Sequence, residues 1–223
     1  MPQLVAIFDL DGTLTTERSS WRFLHERLGI WRGRAERYQE QYLRGEIDYV
    51  TFCELDAREW AGIAAAKVEA IAGEIALARG VPETVAELRR LGFRLAIVSS
   101  GLDLLARRVA RELGFDRWVA NSLVARDGVL VGEAIVRVYD DNKLPVAEQV
   151  LRELGGCWER ALAVGDSEND LPLLRRAAVG VAVAPESPKV AAQAPHVIAP
   201  GEFSRIAELA RGVLGQASPG RGQ

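Results

Sequence analysis

Two carboxylates, Asp9 and Asp11, stand two residues apart in the heptad Asp9-Leu10-Asp11-Gly12-Thr13-Leu14-Thr15, directly after the apolar run Leu4-Val5-Ala6-Ile7-Phe8. Acids this close repel each other unless a cation joins them, and a hard, oxygen-seeking ion such as Mg²⁺ suits them best. One carboxylate could then attack an electrophile while its neighbour handles protons. Asp-Gly is also a common hairpin corner, so the heptad by itself leaves a plain turn open.

Three further segments offer matching chemistry. Gly165-Asp166-Ser167-Glu168-Asn169-Asp170 follows the apolar Ala161-Leu162-Ala163-Val164 and crowds three acids and an amide into five positions. A capping turn needs one such residue. The excess fits oxygen ligation of a metal, with Asp166 on the ion and Asp170 supporting it. Ser99-Ser100-Gly101 ends another apolar run and supplies hydroxyls and backbone N–H groups for an anion, although Ser-Ser-Gly is also ordinary loop chemistry. Lys143 opens a predicted helix, where the helix dipole disfavours a cation. Reaching a bound phosphate would explain it there; a solvated surface lysine is the plainer alternative.

These residues need elements to carry them. An apolar run ending in a polar, Gly-containing turn reads as a buried strand, and ligands of open α/β sheets bind at the carboxyl ends of such strands. Between Thr16 and Arg79 the pattern is helical, with no convincing strand. Ser19-Ser20 caps a helix to Leu28; further helices span Arg34 to Leu43, start at Asp48, and start near Ala64. From Val81 helices and strands alternate. A helix from Pro82 to Leu91 precedes a strand from Phe93 to Val98, and a helix from Leu102 to Leu113 precedes a hairpin, Ser122 to Val131, turning at Arg126-Asp127-Gly128. Asn142 caps a helix to Leu154, and the strand Ala161 to Val164 follows. A helix from Leu171 to Ala177, strands at Val179 to Val183 and Val197-Ile198, and a helix from Glu202 to Val213 complete the pattern. The expected architecture is α/β: a Rossmann-like, doubly wound parallel sheet with a small inserted α-helical cap domain. Residues 1–15 and 80–214 would form the core, 16–79 the cap, and 215–223 a disordered tail.

Composition narrows the classes. The chain has 223 residues, is 48% hydrophobic and 26% charged, and carries a net charge of −3, with no basic footprint for nucleic acid. No apolar stretch approaches the roughly 20 residues of a membrane span. Met1-Pro2-Gln3 runs straight into the first strand without a charged-then-apolar leader. Cys53 and Cys157 are isolated, so a reduced, cytoplasmic protein is expected. The two histidines, His25 and His196, read as surface or structural groups. Serine-histidine, zinc-protease and P-loop motifs are missing from the sequence. Trp21, Trp31, Trp60, Tyr38, Tyr42 and Tyr49 are expected to pack the cap, and Arg22, Arg32, Arg34 and Arg37 to form mostly a solvated face.

Taken in order, Asp9-x-Asp11-Gly12-Thr13-Leu14-Thr15, Ser99-Ser100-Gly101, Lys143 and Gly165-Asp166-Ser167-x-Asn169-Asp170 resemble the four motifs of the haloacid dehalogenase superfamily. The helical insertion and the hairpin segment Asn121 to Gly132 resemble its phosphoserine phosphatase-like branch. The resemblance covers nearly all of the chain except the tail. It implies a Mg²⁺-dependent phosphomonoester hydrolase acting on a small phosphorylated metabolite, without nucleic-acid or membrane partners, as a monomer or homodimer. Asp9 would be the nucleophile that forms an aspartyl-phosphate, and Asp11 the acid and base. Mg²⁺ would be held by Asp9, the backbone carbonyl of Asp11 and Asp166, with Asp170 orienting the site. Ser99, Ser100, Gly101 and Lys143 would bind phosphate, and Asn169 phosphate or substrate.

The same resemblance brings a Glu after the first motif and an Arg in the cap that hold an amino acid's ammonium and carboxylate. Ungapped comparison puts Arg18 at the Glu position, with Glu17 beside it, and the cap Arg near Asp56, with Arg58 two residues later. Glu17 and Arg58 are therefore the candidate substrate contacts, and phosphoserine one candidate among small phosphomonoesters. A phosphomutase, a non-catalytic phosphate- or protein-binding member of the fold, and a phospho-acceptor switch are the competing readings. Retention of Asp9, Asp11, Lys143 and Asp166 argues against a non-catalytic member, and Asp11 argues against a long-lived phospho-aspartate.

Overall fold

Leu4, Ala6 and Phe8 face one side of strand β1 (Gln3–Phe8) and Val5 and Ile7 the other. All five are buried, so β1 lies inside a sheet covered on both faces. The computed structural model describes residues 1–139 and 141–215. After β1 come helices α1 (Ser20–Arg27), α2 (Glu36–Leu43), α3 (Tyr49–Arg58) and α4 (Ala65–Ala72). The alternating part follows: α5 (Val81–Arg90), β2 (Arg94–Leu102), α6 (Asp103–Leu113), β3 (Arg117–Arg126), β4 (Val129–Ile135), α7 (Lys143–Glu153) and β5 (Gly156–Gly165). It closes with α8 (Leu171–Arg176), β6 (Val179–Val183), α9 (Pro188–Gln193), β7 (His196–Ile198) and α10 (Ser204–Gly215). Apart from Gly215, the expected tail lies outside the described residues.

The seven strands form one sheet in the order β4-β3-β2-β1-β5-β6-β7. Every neighbouring pair is parallel except the hairpin β3-β4. Successive strands move outward from β1 through β2 and β3, then restart at β5 on its other side. The crevice between the carboxyl ends of β1 and β5 is thus the topological switch point, the standard ligand position of such sheets. One face of the sheet is packed by apolar residues of α5, α6 and α10, the other by those of α7, α8 and α9. No helix among the described residues is long and apolar enough to cross a membrane.

Helices α1, α3 and α4 share a third cluster, in which Trp21, Leu24, Cys53 and Trp60 meet Leu130 of the hairpin. Trp21 and Trp60 stack at 5.4 Å. The hairpin bonds to the segment before α4: Gly62 N–H donates to Leu130, Leu130 N–H to Ile63, and Ala65 N–H to Gly128. Its turn places Asp127 and Gly128 at φ of 50° and 79°, the two left-handed positions that a two-residue hairpin demands.

Several elements differ from expectation. α2 begins at Glu36 because Arg32 and Gly33 leave helical geometry, Gly33 at φ 109°. β2 continues through Ser99-Ser100-Gly101 to Leu102, so this segment is an irregular strand extension preceding α6. Asn142 does not cap α7 through its side chain; it instead accepts from Tyr139 N–H and donates to the Arg137 carbonyl. α9, capped by Ser187, was not expected. His25 is wholly buried and therefore structural, whereas His196 is exposed.

Candidate active site

Asp9 follows the last residue of β1, Asp11 sits two residues further on, and Asp166 follows β5 across the switch point. The carboxylates of Asp9, Asp166 and Asp170 present ligand atoms within 4.8 Å of one another. Lys143, at the start of α7, bridges two of them, with Nζ 2.6 Å from Asp9 Oδ1 and 2.6 Å from Asp170 Oδ1. Burial alone would pull Lys143 down, but the charges of Asp170 and Asp9 together outweigh it and hold the ammonium well above the usual lysine range.

Lys143 and Arg18, the latter paired with Asp166, face three acids, Asp9, Asp166 and Asp170. Burial, reinforced by the Asp170 charge against the pull of Lys143, raises Asp9 from 3.8 to about 7. Burial and the neighbouring charges of Asp9 and Asp170 raise Asp166 to about 8. Hard oxygen donors this close and short of positive charge fit a divalent cation. Asp170 is already committed: its Oδ2 accepts from the N–H groups of Asp166 and Ser167 and from the Ser167 hydroxyl. The acid-rich turn is therefore partly a cap after all, and Asp170 holds the loop and Lys143 together. Asp9 and Asp166 remain the freer ligands. Asp166 Oδ1 accepts from the Thr13 hydroxyl at 3.0 Å, and Oδ2 from Arg18 Nη1 at 2.9 Å.

The Asp11 side chain is held apart from this cluster. Its Oδ2 accepts from both the N–H and the hydroxyl of Ser20, each at 2.7 Å, while buried Oδ1 has no partner among the described residues. Burial, partly offset by those two bonds, raises Asp11 to about 6, a value suited to giving and taking protons near neutrality. The sequence offers Ser20 as part of a helix cap and Thr13 as a member of the heptad, and gives neither a part at the acids. Ser20 begins α1, and its usefulness to Asp11 depends on the tertiary approach of that helix.

Ser99, Ser100 and Gly101 line the same cleft. Ser99 Oγ accepts from Gly101 N–H at 3.1 Å. Three donors hold the Ser100 carbonyl: Trp21 Nε1, Tyr49 hydroxyl and Asn121 Nδ2. A Cβ on Gly101 would come within 2.6 Å of Asp11 Oδ2 and 3.1 Å of Ser20 Oγ, so only glycine lets these groups meet. At Gly12, with φ 76°, a Cβ would stand 2.5 Å from Asp166 Oδ2.

The cleft has a volume of about 250 Å³ and is walled by strand ends on one side and by residues of α1 to α3 on the other. Lys143, Asp166 and Asn169 line it together with Asp9 and Asp11. Glu17 and Arg58, the candidate substrate contacts, do not line it. The Glu17 carbonyl receives Gly12 N–H, and the next residue, Arg18, lines the cleft instead. Arg58 is exposed beside Glu54, because two residues along an α-helix turn a side chain roughly 200° away from Asp56. Asp56 faces the cleft. Of the aromatic residues expected only to pack, Trp21, Trp31, Tyr42 and Tyr49 also line the cavity.

Comparison with known proteins agrees with this geometry. The profile of the haloacid dehalogenase-like hydrolase family matches residues 6–175, and the chain belongs to that family. A phosphoserine phosphatase of Streptococcus thermophilus is 30% identical over 204 residues, covering 91% of this chain and 94% of that protein. The phosphoserine phosphatase SerB2 of Mycobacterium tuberculosis is 32% identical over 177 residues, or 79% of this chain, which spans 43% of its length. Among solved structures, a phospho-aspartyl intermediate analogue of phosphoserine phosphatase superposes with a TM-score of 0.76 at 24% identity, covering 89% of this chain and 94% of that one. The latter likeness is one of fold.

Proposed function

We propose that this chain is a Mg²⁺-dependent phosphomonoesterase that acts on a small phosphorylated metabolite through an aspartyl-phosphate at Asp9. The observation that carries the reading is the division of labour between the two acids. Asp9 lies against Lys143 at the switch point, and Asp11, pinned through one oxygen, keeps Oδ1 free.

In the first half-reaction an Asp9 carboxylate oxygen bonds to phosphorus as the ester P–O bond breaks, and protonated Asp11 gives its proton to the leaving oxygen. In the second, Asp11 takes a proton from water as the water oxygen bonds to phosphorus and the acyl-phosphate bond breaks. Lys143, the Ser99 hydroxyl and the backbone N–H groups near Gly101 would hold the transferring oxygens. Asp9, Asp166 and the Asp11 carbonyl would hold Mg²⁺, with Asp170 orienting the loop. When bound, the cation neutralises phosphoryl charge and keeps Asp9 ionised. Helices α1 to α4 act as a cap whose wall closes the cleft over the reacting groups, and Asn169 adds a polar contact there.

The curated relatives are phosphoserine phosphatases; for this chain the substrate class is a small phosphomonoester that a cleft of about 250 Å³ can enclose. Steady-state hydrolysis of p-nitrophenyl phosphate tests the reading. Activity that needs Mg²⁺, stops with chelator and vanishes in Asp9→Asn is expected. Full activity in Asp9→Asn would remove the assigned nucleophile.

A further inference from the structure

The cap-side wall of the cleft carries a carboxylate that the proposed reaction does not use. Asp56, on α3, lines the cleft and has no exposure to bulk solvent, and its Oδ2 has no hydrogen-bond partner among the described residues. Its Oδ1 lies 3.3 Å from Nε2 of the equally buried His25. The two groups attract across that contact, which opposes the upward pull of burial on the Asp56 carboxyl, and among the described residues the ring nitrogens of His25 have no other partner. His25 is itself wedged against the Trp60 ring, with centroids 4.6 Å apart. Oδ2 is thus a buried acceptor without a donor, which is costly unless something supplies one.

The neighbouring wall says what kind of donor fits. Tyr42 and Phe52 stack at 5.3 Å, and Tyr49 meets Phe52 edge-on at 6.1 Å. All three line the cleft, and aromatic faces attract a cation. The cationic side chains of the cleft are already engaged. Arg18 is bonded to Asp166 and the Ala184 carbonyl; Arg22 pairs with Glu26 and lies 4.8 Å over Trp31; Lys143 sits between Asp9 and Asp170. A substrate carboxylate near Asp56 would meet like charge. A protonated amine would meet an acceptor oxygen and a ring wall.

Resting on the phosphomonoesterase reading above, we propose that Asp56 receives a protonated amine on the leaving alcohol, so that the substrates are phosphomonoesters of amino alcohols and a carboxylate there is rejected. The test compares kcat/KM of the full chain with Mg²⁺ for p-nitrophenyl phosphate, O-phosphoethanolamine, O-phosphoserine and phosphoglycolate, in wild type and in the near-isosteric Asp56→Asn. In wild type the ammonium ester should exceed phosphoglycolate by about tenfold or more, and phosphoserine should gain nothing from its added carboxylate. In Asp56→Asn the ratio of ammonium ester to aryl ester should fall by about tenfold or more. Preference for phosphoglycolate or phosphoserine in wild type, or an unchanged ratio in Asp56→Asn, would overturn the proposal. The wild-type order stands as a test even if the variant does not fold. A wild type inert toward all four esters would instead bring down the phosphomonoesterase reading.

Discussion

Asp11 receives its two bonds from Ser20 through a single oxygen, and each side of that pairing is open to mutation. Removing the Ser20 hydroxyl deletes one charge-assisted bond, worth roughly 1.5–3 kcal/mol. Ser20→Ala is therefore expected to lower kcat about tenfold or more while KM moves little, as steady-state kinetics would read. A KM effect with unchanged kcat would mean that Ser20 serves substrate and not Asp11. The raised acids make a second prediction. Burial places Asp11 at about 6, Asp9 at about 7 and Asp166 at about 8, against an ordinary 3.8. Across the window from about 4 to about 8 the native state holds protons that the unfolded chain has released, so the metal-free protein loses stability as pH rises. A divalent cation replaces those protons. Thermal melts should show a lower Tm in chelator at about pH 8 than at about pH 5, and a larger gain from Mg²⁺ at the higher pH. A chelated Tm that is flat or rises over that range contradicts this account.

At the scale of elements, the irregular end of β2 is built to a tolerance that side chains alone do not reveal. Gly101→Ala puts a methyl 2.6 Å from Asp11 Oδ2. Displacing the acid by a few tenths of an ångström should cost about tenfold or more in kcat, with circular dichroism unchanged. Asn121 ties the same strand end to the chain leaving β4: Oδ1 accepts from Arg137 and Val138 N–H groups, and Nδ2 donates to the Ser100 and Val138 carbonyls. Asn121→Ala strands buried backbone groups and should cost about 3 kcal/mol in denaturant melts. A loss under about 0.5 kcal/mol would show that water replaces the amide. Neither residue's role was legible from local pattern. The strand-end positions of Asp9 and Asp166 were, because an apolar run followed by a polar turn leaves little other choice. Asn142 misled for the same reason that Asn121 was missed. An Asn before a helix suggests a cap and an Asn inside a strand suggests nothing, yet the outcome depended on which distant backbone groups came within reach.

For the whole molecule, the order of strands follows from alternation and from the handedness of crossovers, which is why the doubly wound sheet could be anticipated. What the cleft selects could not, since it depends on which faces of α1 to α3 turn inward. Arg58 and Asp56 illustrate this: two residues apart on one helix, one is exposed and the other lines the cavity. The cleft volume of about 250 Å³ also sets a size limit, so a phosphopeptide should be hydrolysed about 100-fold or more less efficiently than p-nitrophenyl phosphate. Comparable kcat/KM values would mean that the cap opens wide enough to admit macromolecules. The central claim is that Asp9 carries the phosphoryl group and Asp11 releases it. An aryl phosphate has a good leaving group and needs little protonation, so Asp11→Asn should still be phosphorylated and then stall. Acid-quenched Asp11→Asn, incubated with p-nitrophenyl phosphate and Mg²⁺ and mapped by mass spectrometry, should carry one phosphoryl group on Asp9. A wild type that turns over, with no phosphoryl group on Asp9 in either the quenched wild type or the quenched variant, would contradict it.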